Sequence, residues 1–190
     1  MMRAVFLDRD GVLIRDVGNL LSPKEIAIID KVPAAIKKLA ECGYLIVVVT
    51  NQAVVARGWA TECEVEAIHT ELTRMLNDFG ATVDRFYYCP HHPNATLPRY
   101  RANCNCRKPR PGMILQAADE MCIDLNNSYM VGDRITDIIA GAQAGCHTIL
   151  VECGSHQLPV IETASPIDLE ITPDYQFANL LAAAEWIIQQ

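Results

Sequence analysis

Short apolar runs and amphipathic stretches take turns along this chain. Runs of strand length occupy Ala4 to Leu7, Leu45 to Val49, Phe86 to Tyr88, Tyr129 to Val131 and Thr148 to Val151, and longer segments with helically spaced apolar residues separate them. This rhythm predicts parallel strands joined by crossover helices, an α/β domain with a mainly parallel sheet. It also fixes where a ligand is expected, because open α/β sheets bind at the carboxyl ends of their strands. The 190 residues are read as a single domain, 1–190.

The helices show their boundaries. Pro33 opens one that runs from Val32 to Cys42, with Ala35, Ile36, Leu39 and Ala40 apolar and Gly43 placed to stop it. Thr61 and Glu64 form a capping box for the next, whose stripe is Val65, Ile68, Leu72, Met75, Leu76 and Phe79, with Gly80 at its end. His69 lies off that stripe and is expected at the surface. A third begins at Pro111 and carries Met113, Ile114, Ala117 and Met121. A fourth follows Gly132 with Ile138, Ile139 and Ala142 inward, and a last is predicted from Phe177 to Ile188. The stretch Ser155 to Pro173 receives no role.

Composition narrows the function. Half the residues are apolar (51%) and a fifth charged (21%), which excludes disorder. A formal charge of -7 argues against nucleic acid, whose backbone is held by clustered Lys and Arg. No apolar run approaches the ~18 residues of a membrane span. The expectation is a cytoplasmic monomer with no membrane or nucleic-acid partner.

Of the eight cysteines, Cys42, Cys63, Cys122, Cys146 and Cys153 are scattered and read as small buried or half-buried side chains. Cys89, Cys104 and Cys106 instead fall beside His91 and His92 in the polar, proline-containing stretch 89–110. A loop that long needs something to pin it. Three thiolates and one imidazole close a tetrahedral zinc site with no open position, which is a structural site. Spacing alone admits His91 or His92.

Three strand ends carry polar motifs. The first strand ends in Asp8-Arg9-Asp10-Gly11, two carboxylates at the ligand edge, although an Asp-Gly pair there also makes a turn. The second ends in Thr50-Asn51-Gln52, a hydroxyl with backbone N–H groups able to hold phosphoryl oxygens. Arg107-Lys108-Pro109-Arg110-Pro111 concentrates positive charge on stiff backbone before a helix. The fourth strand ends in Gly132-Asp133-Arg134-Ile135-Thr136-Asp137, where capping would explain Asp133 but spacing also lets Asp133 and Asp137 face one side.

Taken in order, DxDG, TN, K-P and GDxxxD resemble the haloacid dehalogenase superfamily of phosphohydrolases from Asp8 to about Gly154. The resemblance implies a Rossmann-like, three-layer α/β/α fold. It implies Asp8 as the nucleophile that forms an aspartyl-phosphate and Asp10 as general acid, then base. Thr50, the Asn51 N–H and Lys108 would stabilise the phosphoryl group. Mg²⁺ would be held by the Asp8 carboxylate, the Asp10 carbonyl and Asp133, with Asp137 placing metal waters or Lys108.

The segments CPHHP and CNCRKPRPGM resemble the subgroup that contains heptose 1,7-bisphosphate 7-phosphatases and histidinol-phosphate phosphatases. That subgroup has no large cap domain and a zinc-pinned loop. It implies zinc on Cys89, His91, Cys104 and Cys106, Arg107 in substrate recognition, and substrate contacts from Asp16, Val17, Gly18, Asn19, Asn51, Gln52 and Ala53. The segment 92–103 between His91 and Cys104 has the length of the heptose type. The implied reaction releases the 7-phosphate of D-glycero-D-manno-heptose 1,7-bisphosphate, on the route to nucleotide-activated heptose for cell-envelope glycans. Alternatives are histidinol phosphate or another small phosphomonoester, or a non-catalytic zinc-loop interaction module; the intact set Asp8, Asp10, Thr50, Lys108 and Asp133 speaks against the last.

The chain also departs from the subgroup. TNQSGIARG is here Thr50-Asn51-Gln52-Ala53-Val54-Val55-Ala56-Arg57-Gly58, DRDGTIN ends in Val12-Leu13-Ile14, and HGY is Val17-Gly18-Asn19. No catalytic group is lost, but polar groups able to read a sugar are.

Overall fold

The structure, a computed structural model, describes residues 1–152 and 172–190. Six strands, β1 (Arg3–Leu7), β2 (Tyr44–Asn51), β3 (Arg85–Cys89), β4 (Tyr129–Gly132), β5 (His147–Val151) and β6 (Tyr175–Phe177), form one sheet in the order β3-β2-β1-β4-β5-β6. Every pairing is parallel. The chain moves outward from β1 to β3 and then returns to β4 on the other side of β1. The order therefore reverses between β1 and β4, and a crevice opens beyond their carboxyl ends.

Helices cover both faces, which is why the strands read as unbroken apolar runs rather than alternating ones. Helices α1 (Val32–Glu41), α3 (Glu62–Asn77) and α6 (Leu180–Ile187) press Ile36, Leu39, Ile68, Leu72, Ala183 and Ile187 against Val5, Leu7, Ile46, Val48 and Val131. On the opposite face α4 (Gly112–Met121) and α5 (Ile135–Ala144) pack Met113, Ile114, Ala117, Ala140 and Ala144 on Ala4, Phe6, Val47, Val49 and Met130. A short helix, α2 (Ala53–Ala56), follows β2 and builds a satellite cluster with Val65, Ala95 and Tyr100. The three-layer architecture is the one expected.

Several sequence expectations are corrected. The last helix begins at Leu180, not Phe177, because Tyr175 to Phe177 pair with β5 as an edge strand and the Asn179 side chain caps α6 by accepting from the Ala182 N–H at 3.0 Å. Phe79 is exposed, since α3 ends at Asn77 and helical spacing no longer aims the ring inward. Ala40 and Ala142 also face outward; α5 is oriented by Ile138, Ile139 and Ala144. Cys42, Cys63 and Cys122 are exposed where burial or half-burial was expected, whereas Cys146 is buried. His69 is buried, for reasons given below. Cys153, Gly154 and nearly all of Ser155 to Pro173 lie outside the described residues.

Candidate active site

The crevice between β1 and β4 is a cleft of about 1040 Å³, and Asp8, Asp10, Thr50, Lys108 and Asp137 line it. Asp8 follows β1, a central strand flanked by β2 and β4, so the residue is only 6% exposed. Lys108 reaches the same point from the loop before α4. Its Nζ lies 2.9 Å from Asp8 Oδ1 and 2.6 Å from Asp137 Oδ1, and it donates to the Val49 carbonyl at 2.7 Å. Burial works against the lysine's charge, but Asp137 and Asp8 outweigh it and hold its pKa above the ordinary lysine range. Asn51 fixes this arrangement: its Nδ2 donates to the Lys108 carbonyl and its Oδ1 accepts from the Lys108 N–H, each at 3.0 Å.

Asp133 is different. Both its carboxylate oxygens are buried, and neither has a hydrogen-bond partner among the described residues. Asp8, Asp133 and Asp137 nevertheless place one carboxylate oxygen each within 4.8 Å of one another. Burial first, then repulsion from Asp8 and Asp137, pushes the Asp133 carboxyl up to about 7. Asp137 rises to about 6, again through burial, with Lys108 opposing. The backbone preserves this proximity: Gly11 has φ +87°, and a Cβ there would collide with the Asp133 carboxylate. Unpartnered buried oxygens on converging carboxylates are the donor set of a hard divalent cation. Asp133 does not cap α5, contrary to the simpler sequence reading; Asp137 does so by accepting from the Arg134 N–H at 3.1 Å.

Asp10 is held by a second network. The Arg9 guanidinium donates from Nη2 to Asp10 Oδ1 at 3.0 Å and Oδ2 at 2.9 Å, and from Nε to Oδ1 at 3.2 Å. Gln52 joins it, accepting from Arg9 Nη2 and donating to Asp10 Oδ2, both at 3.0 Å, and to Thr50 Oγ1 at 2.9 Å. Burial raises the Asp10 pKa, with Arg9 opposing and Asp8 adding to the rise. A carboxyl that keeps its proton above the usual range is suited to acid catalysis.

Asp16, Gly18, Asn19, Asn51, Gln52, Ala53 and Arg107 line the cleft as expected, but Val17 is exposed and does not. The glycine turn directs Asp16 inward, where it pairs with Arg134 at 2.6 Å, and Asn19 accepts from Arg57 at 3.2 Å. The Asn51 and Gln52 side chains are committed to the protein contacts above. The Gln52 N–H donates to the Cys89 carbonyl at 2.8 Å, where β3 ends beside it. Sequence reasoning assigned no role to Arg9 or Arg57. The position of Arg9 between two carboxylates was the available signal.

The loop after β3 gathers Cys89, His91, Cys104 and Cys106. Their sulfurs are 3.1 to 3.5 Å apart, and His91 Nδ1 lies 3.4 Å from Cys106 Sγ and 3.8 Å from Cys89 Sγ. Ligands at ~2.3 Å from a tetrahedral zinc stand ~3.8 Å from one another, so the cluster is nearly the size of a zinc tetrahedron. His92 is turned away, its Nδ1 accepting from the Asn94 N–H at 3.1 Å, and it lines the cleft. Arg107 spans the two sites by donating to the His91 carbonyl at 3.1 Å.

Comparison with known proteins agrees with this geometry. Residues 105–183 match the family described as HAD-hydrolase-like. Over 163 residues the chain is 42% identical to the D-glycero-beta-D-manno-heptose-1,7-bisphosphate 7-phosphatase of Escherichia coli O6:H1, covering 85% of this chain and 86% of that one. The chain belongs to this phosphatase family of the haloacid dehalogenase type. Its Pasteurella multocida relative of the same name is 43% identical over 155 residues, 81% of this chain and 84% of that one. Among solved structures, the D,D-heptose 1,7-bisphosphate phosphatase of B. bronchiseptica, complexed with magnesium and phosphate, superposes with a TM-score of 0.81 at 34% identity and covers 99% of both chains. This heptose-bisphosphatase relative is built on a Rossmann-like parallel sheet. Among its described residues no helix is long and apolar enough to cross a membrane.

Proposed function

We propose that this chain is a Mg²⁺-dependent phosphatase that removes the 7-phosphate of D-glycero-β-D-manno-heptose 1,7-bisphosphate and leaves heptose 1-phosphate. The observation that carries the chemistry is Asp133, a buried carboxylate without a hydrogen-bond partner among the described residues, facing Asp8. The names of the relatives support the substrate and its anomer. Residues 1–190 act as one domain, with 89–110 as a wall of the cleft.

Asp8 attacks phosphorus: an Oδ–P bond forms while the bond from phosphorus to the C7 oxygen breaks, and Asp10 gives its proton to the departing oxygen. Asp10 then takes a proton from water as that water attacks the aspartyl-phosphate, releasing inorganic phosphate and restoring Asp8. Lys108 and Thr50 hold the phosphoryl oxygens through both steps. Asp8, the Asp10 carbonyl and Asp133 would hold Mg²⁺, which when bound supplies the positive charge that offsets repulsion between Asp8 and the phosphate dianion. Asp137 keeps Lys108 charged and in place. Cys89, His91, Cys104 and Cys106 would hold zinc, which when bound would shape the loop that carries Arg107 and Lys108 and take no part in hydrolysis.

The test is phosphate release, with Mg²⁺, from the α and β anomers of the heptose bisphosphate, from histidinol phosphate and from an aryl phosphate. A preference of about a hundredfold for the β anomer, roughly 2.7 kcal/mol of transition-state discrimination, is expected. Flat, slow turnover of all four overturns the substrate, and unchanged turnover by Asp8→Asn overturns the mechanism.

A further inference from the structure

The buried face of α3 carries one polar side chain that nothing so far explains. His69 is 6% exposed, stacked on Phe86 with ring centroids 4.7 Å apart, and edge-on to Tyr88 at 5.6 Å. Its Nε2 lies 3.3 Å from Nη1 of Arg9, itself 1% exposed. An arginine side chain has only donors, so Nε2 must be the acceptor and the ring must be neutral with its proton on Nδ1. Burial, helped by the neighbouring guanidinium, lowers the imidazole pKa to about 3, consistent with that state.

We propose that Arg9 and His69 are positioning residues for Asp10: His69 holds the far edge of the guanidinium so that Nε and Nη2 fix the orientation of the Asp10 carboxyl toward the departing oxygen. This rests on the reading of Asp10 as the general acid. The geometry argues for it because Arg9 spends three contacts on Asp10 and one on Gln52, leaving Nη1 to be satisfied from α3. Without the imidazole, a buried N–H is left unpaired, and the guanidinium must turn to find another acceptor. Any such turn carries Asp10 with it. Small displacements of a proton donor cost rate steeply, since the donor must lie within hydrogen-bond reach of the oxygen it protonates.

The experiment compares two leaving groups in one preparation. A sugar alkoxide needs a proton to depart, whereas 4-nitrophenolate does not, so kcat/KM for the heptose bisphosphate and for 4-nitrophenyl phosphate separates proton delivery from everything else. The ratio is also independent of the fraction of enzyme that is folded. In His69→Leu, kcat/KM for the sugar phosphate is expected to fall about tenfold or more and that for the aryl phosphate less than about threefold. His69→Gln, which restores a neutral acceptor, recovers most of the difference. An equal fall for both substrates, or none, overturns the proposal. Asp10→Asn run beside it separates the two readings: if that variant also lowers both substrates equally, the acid role of Asp10 is wrong, whereas a selective Asp10→Asn effect with an unselective His69→Leu overturns the positioning role alone.

Discussion

Replacing Lys108 by Met tests whether the centre of the site is a charge-balanced unit. The methionine keeps the volume and removes the cation that stands 2.9 Å from Asp8 and 2.6 Å from Asp137 in a nearly dry environment. Breaking one side of a buried ion pair costs about 3–5 kcal/mol, because the partner is left charged and unsolvated. For a chain of this size each kcal/mol moves the melting temperature about 2–4 °C, so Lys108→Met is expected to melt about 6–20 °C below the parent in EDTA. The decisive variant is the double one. Lys108→Met with Asp137→Asn removes one of the two orphaned charges, leaving Asp8, and about 1–3 kcal/mol of the loss should return as coupling energy while phosphate release stays lost. Thermal unfolding by circular dichroism measures the first quantity and a phosphate assay the second. A single variant that melts within about 2 °C of the parent, or a double variant whose losses simply add, would refute the reasoning.

Other outcomes follow from the same geometry. The metal-free protein should lose stability as pH rises. The folded pKa values of Asp133, about 7, and Asp137, about 6, lie above the ordinary carboxylate value, so the folded state holds protons that the unfolded state releases between about pH 4 and 7. Mg²⁺ should remove most of that dependence; melting that is flat over this range without metal contradicts it. Gly11→Ala should abolish turnover, because its Cβ would meet the Asp133 carboxylate, whereas Gly43→Ala, at φ +82° with nothing within 4 Å, should cost only about 1–2 kcal/mol and leave the rate unchanged. Cys104→Ser with Cys106→Ser should lower zinc, measured by mass spectrometry of the purified protein, from one equivalent toward zero and lower the melting temperature. Zinc that stays at one equivalent would exclude this ligand set.

The elements legible in the sequence are those set by local chemistry. Both faces of β1 and β2 are covered, so their apolar runs are continuous, and the residues that follow them in the chain emerge at the crevice by topology alone. That is why Asp8, Asp10, Thr50 and Asp133 are legible in the sequence alone. The sixth strand could not: three residues, Tyr175 to Phe177, become a strand only because the β5 edge is there to receive them. His91 and His92 have the same spacing to the cysteines within one residue, and only the folded loop turns one inward and the other toward the cleft.

His69 marks the limit most sharply. Four residues after Val65 and three before Leu72, it sits at the edge of the buried stripe, where a lone polar residue reads as exposed. Its polar identity at that buried position answers a requirement imposed from elsewhere. The DxD motif inserts an arginine between two carboxylates at a dry strand end, and that guanidinium has more N–H groups than Asp10 and Gln52 together accept. The surplus must be met by some neighbouring element, and α3 is the one whose inner face crosses β3 at Phe86. The polar residue on α3 is therefore dictated by the first nine residues of the chain, sixty positions away. On this argument His69 and Arg9 should tolerate change together and not separately. Arg9→Met with His69→Leu should restore a well-packed, stable interior that still fails to deliver the proton to a sugar leaving group.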